Sequence, residues 1–413
     1  MREQFEQNMQ ALFGDKDAIV VSDNQQLVDW LTGQEIKATT FAQIEASEQA
    51  LSHVLAVPLN YNSLPLRHVL RKIFANSSVL WYPLASFSPD LDIAKYSLEM
   101  FAYSDIVATV YKNRQVVAQL LMADQEVTLR GPGTELTIGL PDTLELLGRT
   151  RIKLMDDEHV ALGNYFEVAV SPTDLAGKVD SQMTVSGTFR IDSILAATHR
   201  EFQGTATSEE INQLADEIRQ ACPLQVTVEN SRIVRGLEQW SDRLQAMCGP
   251  DDAYRSLTEV AIGTGVVPLD KVDWSLNTVF NEGATGVHIG VGNGLNGVHF
   301  DFISQQAQLL DPAAPPLPPA INNADDTLPT IQLVDSIHLR NDEDGGALVV
   351  DDRTFVSARV NESALILLQA LRQPVTQEYL TDIAVQSAGY QQEQAEQLVT
   401  LFVDQLKQNA WIR

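Results

Sequence analysis

Three short apolar runs near the start of the chain predict strands: Ala18-Ile-Val-Val21, His53-Val-Leu-Ala-Val-Pro58 and Ser78-Val-Leu-Trp-Tyr82, each bounded by polar or turn residues. Between them apolar positions recur at helical spacing, from Leu27 to Leu31 and from Leu66 to Phe74, so residues 1–104 read as a small α/β layer. From Asp105 the texture changes. Ile106-Val-Ala-Thr-Val-Tyr111 predicts a strand, Asn113-Arg114 a turn and Val116 to Leu121 a second strand. Val185 to Ile191 continues the strand-rich pattern, with one clear helix from Glu209 to Arg219. Residues 105–310 are therefore expected to form a twisted, mainly antiparallel sheet with a few helices.

The segment 311–326, Asp311-Pro-Ala-Ala-Pro-Pro-Leu-Pro-Pro-Ala-Ile-Asn-Asn-Ala-Asp-Asp326, is dense in proline, which favours extended geometry and marks a linker. Beyond it, Ile331 to Leu339 alternates apolar and polar residues as one half-buried strand should. Asn341 to Gly346 predicts a turn, Ala347 to Val350 a second strand, Asp351-Asp352 a tight turn and Thr354 to Val360 a third strand. Asn361 is placed to cap a helix burying Ala364, Leu365, Leu368 and Leu371, with Pro374 after its end. Thr376 can cap a second helix that Gly389 stops, and a third puts Ala395, Leu398, Phe402 and Leu406 on one face before Trp411-Ile412. Three strands then three helices over residues 327–413 is a winged-helix arrangement. The whole chain is thus expected to be α+β: a small α/β layer, a β-rich antiparallel domain and a winged helix.

Charge decides what that winged helix can bind. The chain carries 28 Lys and Arg against 55 Asp and Glu, a formal charge of -27. Residues 327–413 hold twelve acidic and six basic residues, and the third helix has Glu393, Glu396 and Asp404 against Lys407 alone. A phosphate backbone would be repelled, so no nucleic-acid partner is expected. No apolar run approaches the roughly 20 residues of a membrane span, and the polar start Met1-Arg-Glu-Gln-Phe-Glu6 lacks the apolar core of a signal peptide. Cys222 and Cys248 make no disulfide framework. The expectation is a reduced cytoplasmic protein with no membrane partner.

Candidate chemistry gathers before the linker, in Glu259-Val-Ala-Ile-Gly-Thr-Gly265, Asn281-Glu-Gly-Ala-Thr-Gly-Val-His-Ile-Gly-Val-Gly292 and Val298-His-Phe-Asp301. On a strand, His299 and Asp301 would point to the same face, and nearby glycines let backbone approach closely. Imidazole and carboxylate ligands can hold one or two zinc ions. Two histidines and an acid more often have duller structural roles. No cofactor follows from these residues by themselves.

The ordered set, however, resembles the catalytic domain of the aminopeptidase T (aminopeptidase S) family of dinuclear zinc exopeptidases over roughly residues 163–304. The matching positions are Glu167 in Glu167-Val-Ala-Val-Ser-Pro172, then Glu259, His288, His299 and Asp301. The resemblance implies that these five are zinc ligands. Leu295 stands where that family places a catalytic tyrosine, Gly265 replaces an asparagine, and the interval from His288 to His299 is short. These departures imply a degenerate peptidase scaffold, with catalytic residues unassigned. The C-terminal module, including Val360-Asn-Glu-Ser-Ala-Leu-Ile-Leu-Leu368, resembles the PqqD-like leader-peptide recognition element of ribosomally made, modified peptide pathways. That resemblance implies peptide contacts from Thr354, Phe355, Val356, Ser357, Ala358 and Arg359 on the third strand, and from Gln394, Leu398 and Leu401 on the third helix. The pairing is similar to the peptide-binding proteins of crocagin biosynthesis. It implies a precursor-peptide binding protein whose peptidase-like domain presents the core segment to a partner modifying enzyme. The alternative it leaves open is an active zinc-dependent aminopeptidase or amide hydrolase. A homo-oligomer is compatible with either.

Overall fold

The computed structural model describes residues 1–47, 51–123, 125–141, 146–170, 183–310, 330–334, 336–341, 346–351, 357–372, 374–388 and 391–413. The chain divides into two compact units, Met1–Val117 with Gln125–Leu310, and Ala118–Asp124 with Asp311–Arg413. Helices and sheets are both abundant, in keeping with an α+β class. No helix among the described residues is long and apolar enough to cross a membrane.

The three predicted N-terminal strands form at Ile19–Ser22, His53–Val57 and Ser78–Trp81. They lie in a five-stranded parallel sheet whose other members are Ala38–Thr40 and, from beyond the predicted layer, His159–Ala161. Alternate residues point to opposite faces, and both faces are covered. Val20, Leu55, Val57 and Leu80 enter one apolar core, while Val21, Val54, Ala56 and Val79 enter another. Burial on two sides is why these strands read as unbroken apolar runs.

Residues 106–121 are not two strands. They form a single helix, Ile106–Met122, started by Asp105, whose carboxylate accepts from the Ala108 amide at 2.8 Å. Ile106, Thr109, Val110, Asn113, Val116, Val117 and Leu120 are buried at spacings of three or four residues, and Ala118 is buried beside them. The β-branched residues suggested strands, but the burial period is that of a helix. Asn113, expected in a turn, is fully buried and donates to the carbonyls of Arg149 and Tyr165.

Two six-stranded antiparallel sheets make up the centre of the larger unit. One runs in the order Arg232–Arg235, Leu224–Glu229, Thr184–Ile191, Thr134–Gly139, Glu126–Gly131, Gln308–Leu309. The other runs Ser193–Ala197, His299–Ser304, Val287–Val291, Leu257–Gly263, Glu167–Val170, Leu146–Gly148. The expected helix is present as Ser208–Ala221, opened by a capping box between Thr207 and Glu210.

In the C-terminal unit the strands Ile337–Asn341, Ala347–Asp351 and Ser357–Val360 form an antiparallel sheet, followed by helices Glu362–Ala370, Gln377–Ala388 and Gln392–Gln408. Asn361 and Thr376 accept from backbone amides at the starts of the first two helices, as expected of caps. The expected single strand from Ile331 to Leu339 is broken. Thr330–Ile331 pairs with Val375–Thr376, and Leu333 bridges to Ile412 while Gln332 exchanges backbone bonds with Arg413. The C-terminal residues thus take the hydrogen bonds that a continuous hairpin would have used. Asp351 ends a strand and is not a turn residue; Asp352 and Gly389 lie outside the described residues.

Candidate metal centre

The second antiparallel sheet carries the candidate ligands on one face. Glu167 opens its strand opposite Gly263, and Glu259 and Asp301 flank Gly290 from the two neighbouring strands. Position parity then puts His288 beside Gly290 and His299 beside Asp301 on that same face. Gly290 makes the crowding tolerable. A Cβ added there would lie 2.6 Å from His299 Cε1 and 3.1 Å from Asp301 Oδ1.

All five sequence-predicted residues therefore converge, and the structure adds a sixth, Glu282. It sits on the short helix Val279–Gly283, which Thr278 starts and which Asn281 ties to the carbonyls of Asp273 and Leu276. Gly283 lies so close to Phe166 that an added Cβ would meet its side chain at 2.6 Å, which brings Glu282 alongside Glu167. Glu282 lies within the Asn281–Gly292 stretch already singled out. It went unassigned because a helix, not a site strand, delivers it.

Two groups of ligand atoms result: Glu167, Glu282 and His288, and Glu259, His299 and Asp301. His288 Nε2 lies 3.7 Å from Glu167 Oε2 and 4.0 Å from Asp301 Oδ1. His299 Nε2 lies 2.7 Å from Asp301 Oδ1 and 3.5 Å from Glu259 Oε2, while its Nδ1 meets the Gly292 carbonyl at 2.9 Å. His299 and Asp301 thus form a close, largely buried ion pair. His288 and Asp301 are fully buried.

This collection offers a cation a set of buried ligand atoms. Both His288 nitrogens, both Asp301 oxygens and Glu167 Oε2 are buried with no hydrogen-bond partner. Each such atom costs about 1–3 kcal/mol. Four carboxylates also share the space, and two like charges about 4 Å apart repel by roughly 4 kcal/mol at an effective dielectric of 20. Burial foremost, then Glu259 and Asp301, push the Glu167 carboxyl well above its usual range. Burial and then Glu167 do the same to Glu282. Burial disfavours a charged His299, but Asp301 and Glu259 outweigh it and hold the ring well above the ordinary histidine value. Burial would raise Asp301, yet His299 and His288 keep it low. The residues fit one or two divalent ions bound by nitrogen and oxygen. Cys248, whose thiol burial pushes up to about 12 against the pull of His299, stays protonated and outside the set.

The candidate peptide-contact residues are only partly described. Thr354, Phe355 and Val356 lie outside the described residues. Ser357, Ala358 and Arg359 are exposed on the edge strand of their sheet. The last helix buries Ala395, Val399, Val403 and Leu406, with Phe402 half-buried, so its apolar face is turned relative to the expected one. Leu398, expected in that face, is instead 43% exposed and Leu401 68% exposed, in an outward stripe with Gln394.

Comparisons with known proteins bear on the larger unit. No curated protein matches the sequence. Among solved structures, wild-type AmpT from Thermus thermophilus is similar at 17% identity, covering 75% of this chain and 94% of that one, with a TM-score of 0.40. A 2,5-dihydroxypyridine dioxygenase from Pseudomonas putida KT2440 is similar at 10% identity over 75% of this chain and 93% of that one, also with a TM-score of 0.40. The family model described as crocagin biosynthetic protein CgnE/B matches residues 15–310, which carry the N-terminal layer, both antiparallel sheets and all six candidate ligands. The chain belongs to the crocagin biosynthetic protein CgnE/B family.

Proposed function

We propose that this protein binds the precursor peptide of a ribosomally made, modified peptide pathway through its C-terminal unit, read as a PqqD-like winged helix. The larger unit, read as a degenerate metallopeptidase-like domain, holds or presents the core segment to a partner modifying enzyme. One observation carries the reading: Leu398 and Leu401 face solvent on the last helix of a unit whose Ser357–Val360 strand is a sheet edge. Val360 packs into the same small core that holds Ala395, Val399 and Val403, so strand and helix are built around one centre. An open edge supplies backbone hydrogen bonds to an added peptide strand, and exposed leucines supply apolar contacts. Membership of a biosynthetic protein family supports the pathway.

The test is a titration of the full-length chain with the leader of the precursor encoded beside it. Leu398→Glu and Leu401→Glu, at exposed positions, are expected to weaken binding at least about tenfold while leaving the fold intact. Unchanged affinity in both variants would remove the C-terminal unit from the binding reaction.

A second reading, an active zinc-dependent aminopeptidase or amide hydrolase, is favoured by the unpartnered buried atoms of the six-residue cluster. Glu167, Glu259, Glu282, His288, His299 and Asp301 would hold the metal, and bound zinc would polarise a carbonyl and acidify a water. The chain's own side chains would orient that metal and exclude bulk water from the buried half of the site. Leu295 offers no hydroxyl at the position where the resembling peptidases carry tyrosine, so one transition-state donor is missing. Peptide cleavage by the zinc-loaded chain, lost in Glu259→Ala and His288→Ala, would replace the first reading by the second.

A further inference from the structure

The unpartnered atoms are unevenly shared between the two ligand groups. Glu167 Oε2 and both His288 nitrogens belong to the first group, whereas the second has only the two Asp301 oxygens, one of them 4.0 Å from His288 Nε2. No Glu259 or His299 atom is among those left buried without a partner. His299 is engaged at both ends, by the Gly292 carbonyl on Nδ1 and by Asp301 and Glu259 on Nε2. His299 and Glu259 also keep some contact with solvent, with 15% and 20% of their side chains exposed, against 1% for His288 and 12% for Glu167.

We propose that the two positions are unequal: Glu167, Glu282 and His288, completed by Asp301, take up one divalent transition-metal ion tightly, whereas the Glu259–His299 side is closed on itself and admits a second ion only by breaking its own contacts. An ion at the inner position meets a fully buried imidazole, His288, and a Glu167 oxygen that have no hydrogen-bond partner. Desolvation has there been paid during folding, and His288 and Glu167 gain a partner without losing one, Asp301 alone being shared with His299. An ion at the outer position must first separate His299 from Asp301, 2.7 Å apart, and turn a nitrogen towards the metal. One imidazole with carboxylate oxygens, and no thiolate, suits zinc and its first-row neighbours. The inference rests on the ligand set of the larger unit and is independent of leader binding.

The experiment titrates chelator-treated full-length protein with zinc, following stoichiometry by native mass spectrometry and affinity by calorimetry. The expected result is two phases, the first equivalent about tenfold or more tighter than the second. His288→Ala and Glu282→Gln remove the tight phase, and His299→Ala and Glu259→Gln retain it. Because His288 is a core residue, circular dichroism establishes that its variant is folded, and Glu282→Gln, at a partly buried position, provides the same test with less disturbance. Two equal phases, loss of the first equivalent in Glu259→Gln, its retention in Glu282→Gln, or no zinc bound at all would each overturn the proposal. Leader affinity measured on the same variants reports separately on the peptide reading.

Discussion

Gly290→Ala tests the geometry of the cluster with a single methyl group. In a regular strand, replacing glycine by alanine stabilises a protein by about 0.4–1 kcal/mol, because the unfolded chain loses freedom. Here the new Cβ would lie 2.6 Å from His299 Cε1, 2.9 Å from its Nε2 and 3.1 Å from Asp301 Oδ1. Ordinary contact would require the ring to retreat by roughly 1 Å, against the Gly292 carbonyl at one end and Asp301 at the other. Overpacking of this kind costs about 1–3 kcal/mol. Taken at their midpoints, the two effects leave a net loss of about 1.3 kcal/mol, opposite in sign to the usual result. Gly33, at the end of the helix Gln25–Gly33, has nothing within 4 Å of an added Cβ, so Gly33→Ala serves as the control and is expected to stabilise. Urea unfolding followed by tryptophan fluorescence measures both. Should Gly290→Ala prove as stable as the parent or more so, the close packing of His299 over Gly290 would be wrong.

Two further expectations concern the scaffold. Asn113→Ala leaves the carbonyls of Arg149 and Tyr165 and the Thr264 hydroxyl without their buried partner, a loss of about 3 kcal/mol in chemical denaturation; a change under about 0.5 kcal/mol would refute the helical placement of Asn113. Glu158 accepts two bonds from the Arg149 guanidinium at 2.6 Å each and one from the Met155 amide, and its carboxyl is held below the usual range, first by Arg149. A depressed folded value means that this stability is present above the unfolded pKa and lost as pH falls through the folded one. Glu158→Gln should therefore flatten the acid side of the stability–pH curve below about pH 5, and an unchanged slope there would count against the pair.

Much of the architecture was legible because the deciding forces are local. Val54 to Val57 is apolar throughout since both faces of a parallel strand are covered, and Asn361 could be read as a cap from position alone. The helix Ile106–Met122 is not legible in its own residues because Ile106, Val107, Val110, Val116 and Val117 favour strands intrinsically, while the burial that overrides them comes from tertiary partners. The broken strand after Ile331 failed for a related reason. Its hydrogen bonds go to Ile412 and Arg413, some eighty residues away, and no pattern within residues 331–339 signals that exchange.

The site itself obeys the opposite logic. His299 and Asp301 were visible because alternation on one strand fixes a common face, and Glu167, Glu259 and His288 joined them through order and spacing shared with a known family. Glu282 could not be reached by alternation, since it comes from a five-residue helix held by Asn281 and Gly283. Once it is included, four carboxylates and two imidazoles stand together where local rules of folding ask for apolar side chains or satisfied partners. Elsewhere buried polar groups such as Asn8, Asn113 and Asn281 find the carbonyls they need. Among the described residues, Arg149, Arg219, Ser336 and Arg372 each leave one buried atom unpaired, whereas this cluster leaves both nitrogens of His288, both oxygens of Asp301 and one of Glu167. A divalent ion has the charge and coordination to complete such a set of ligands.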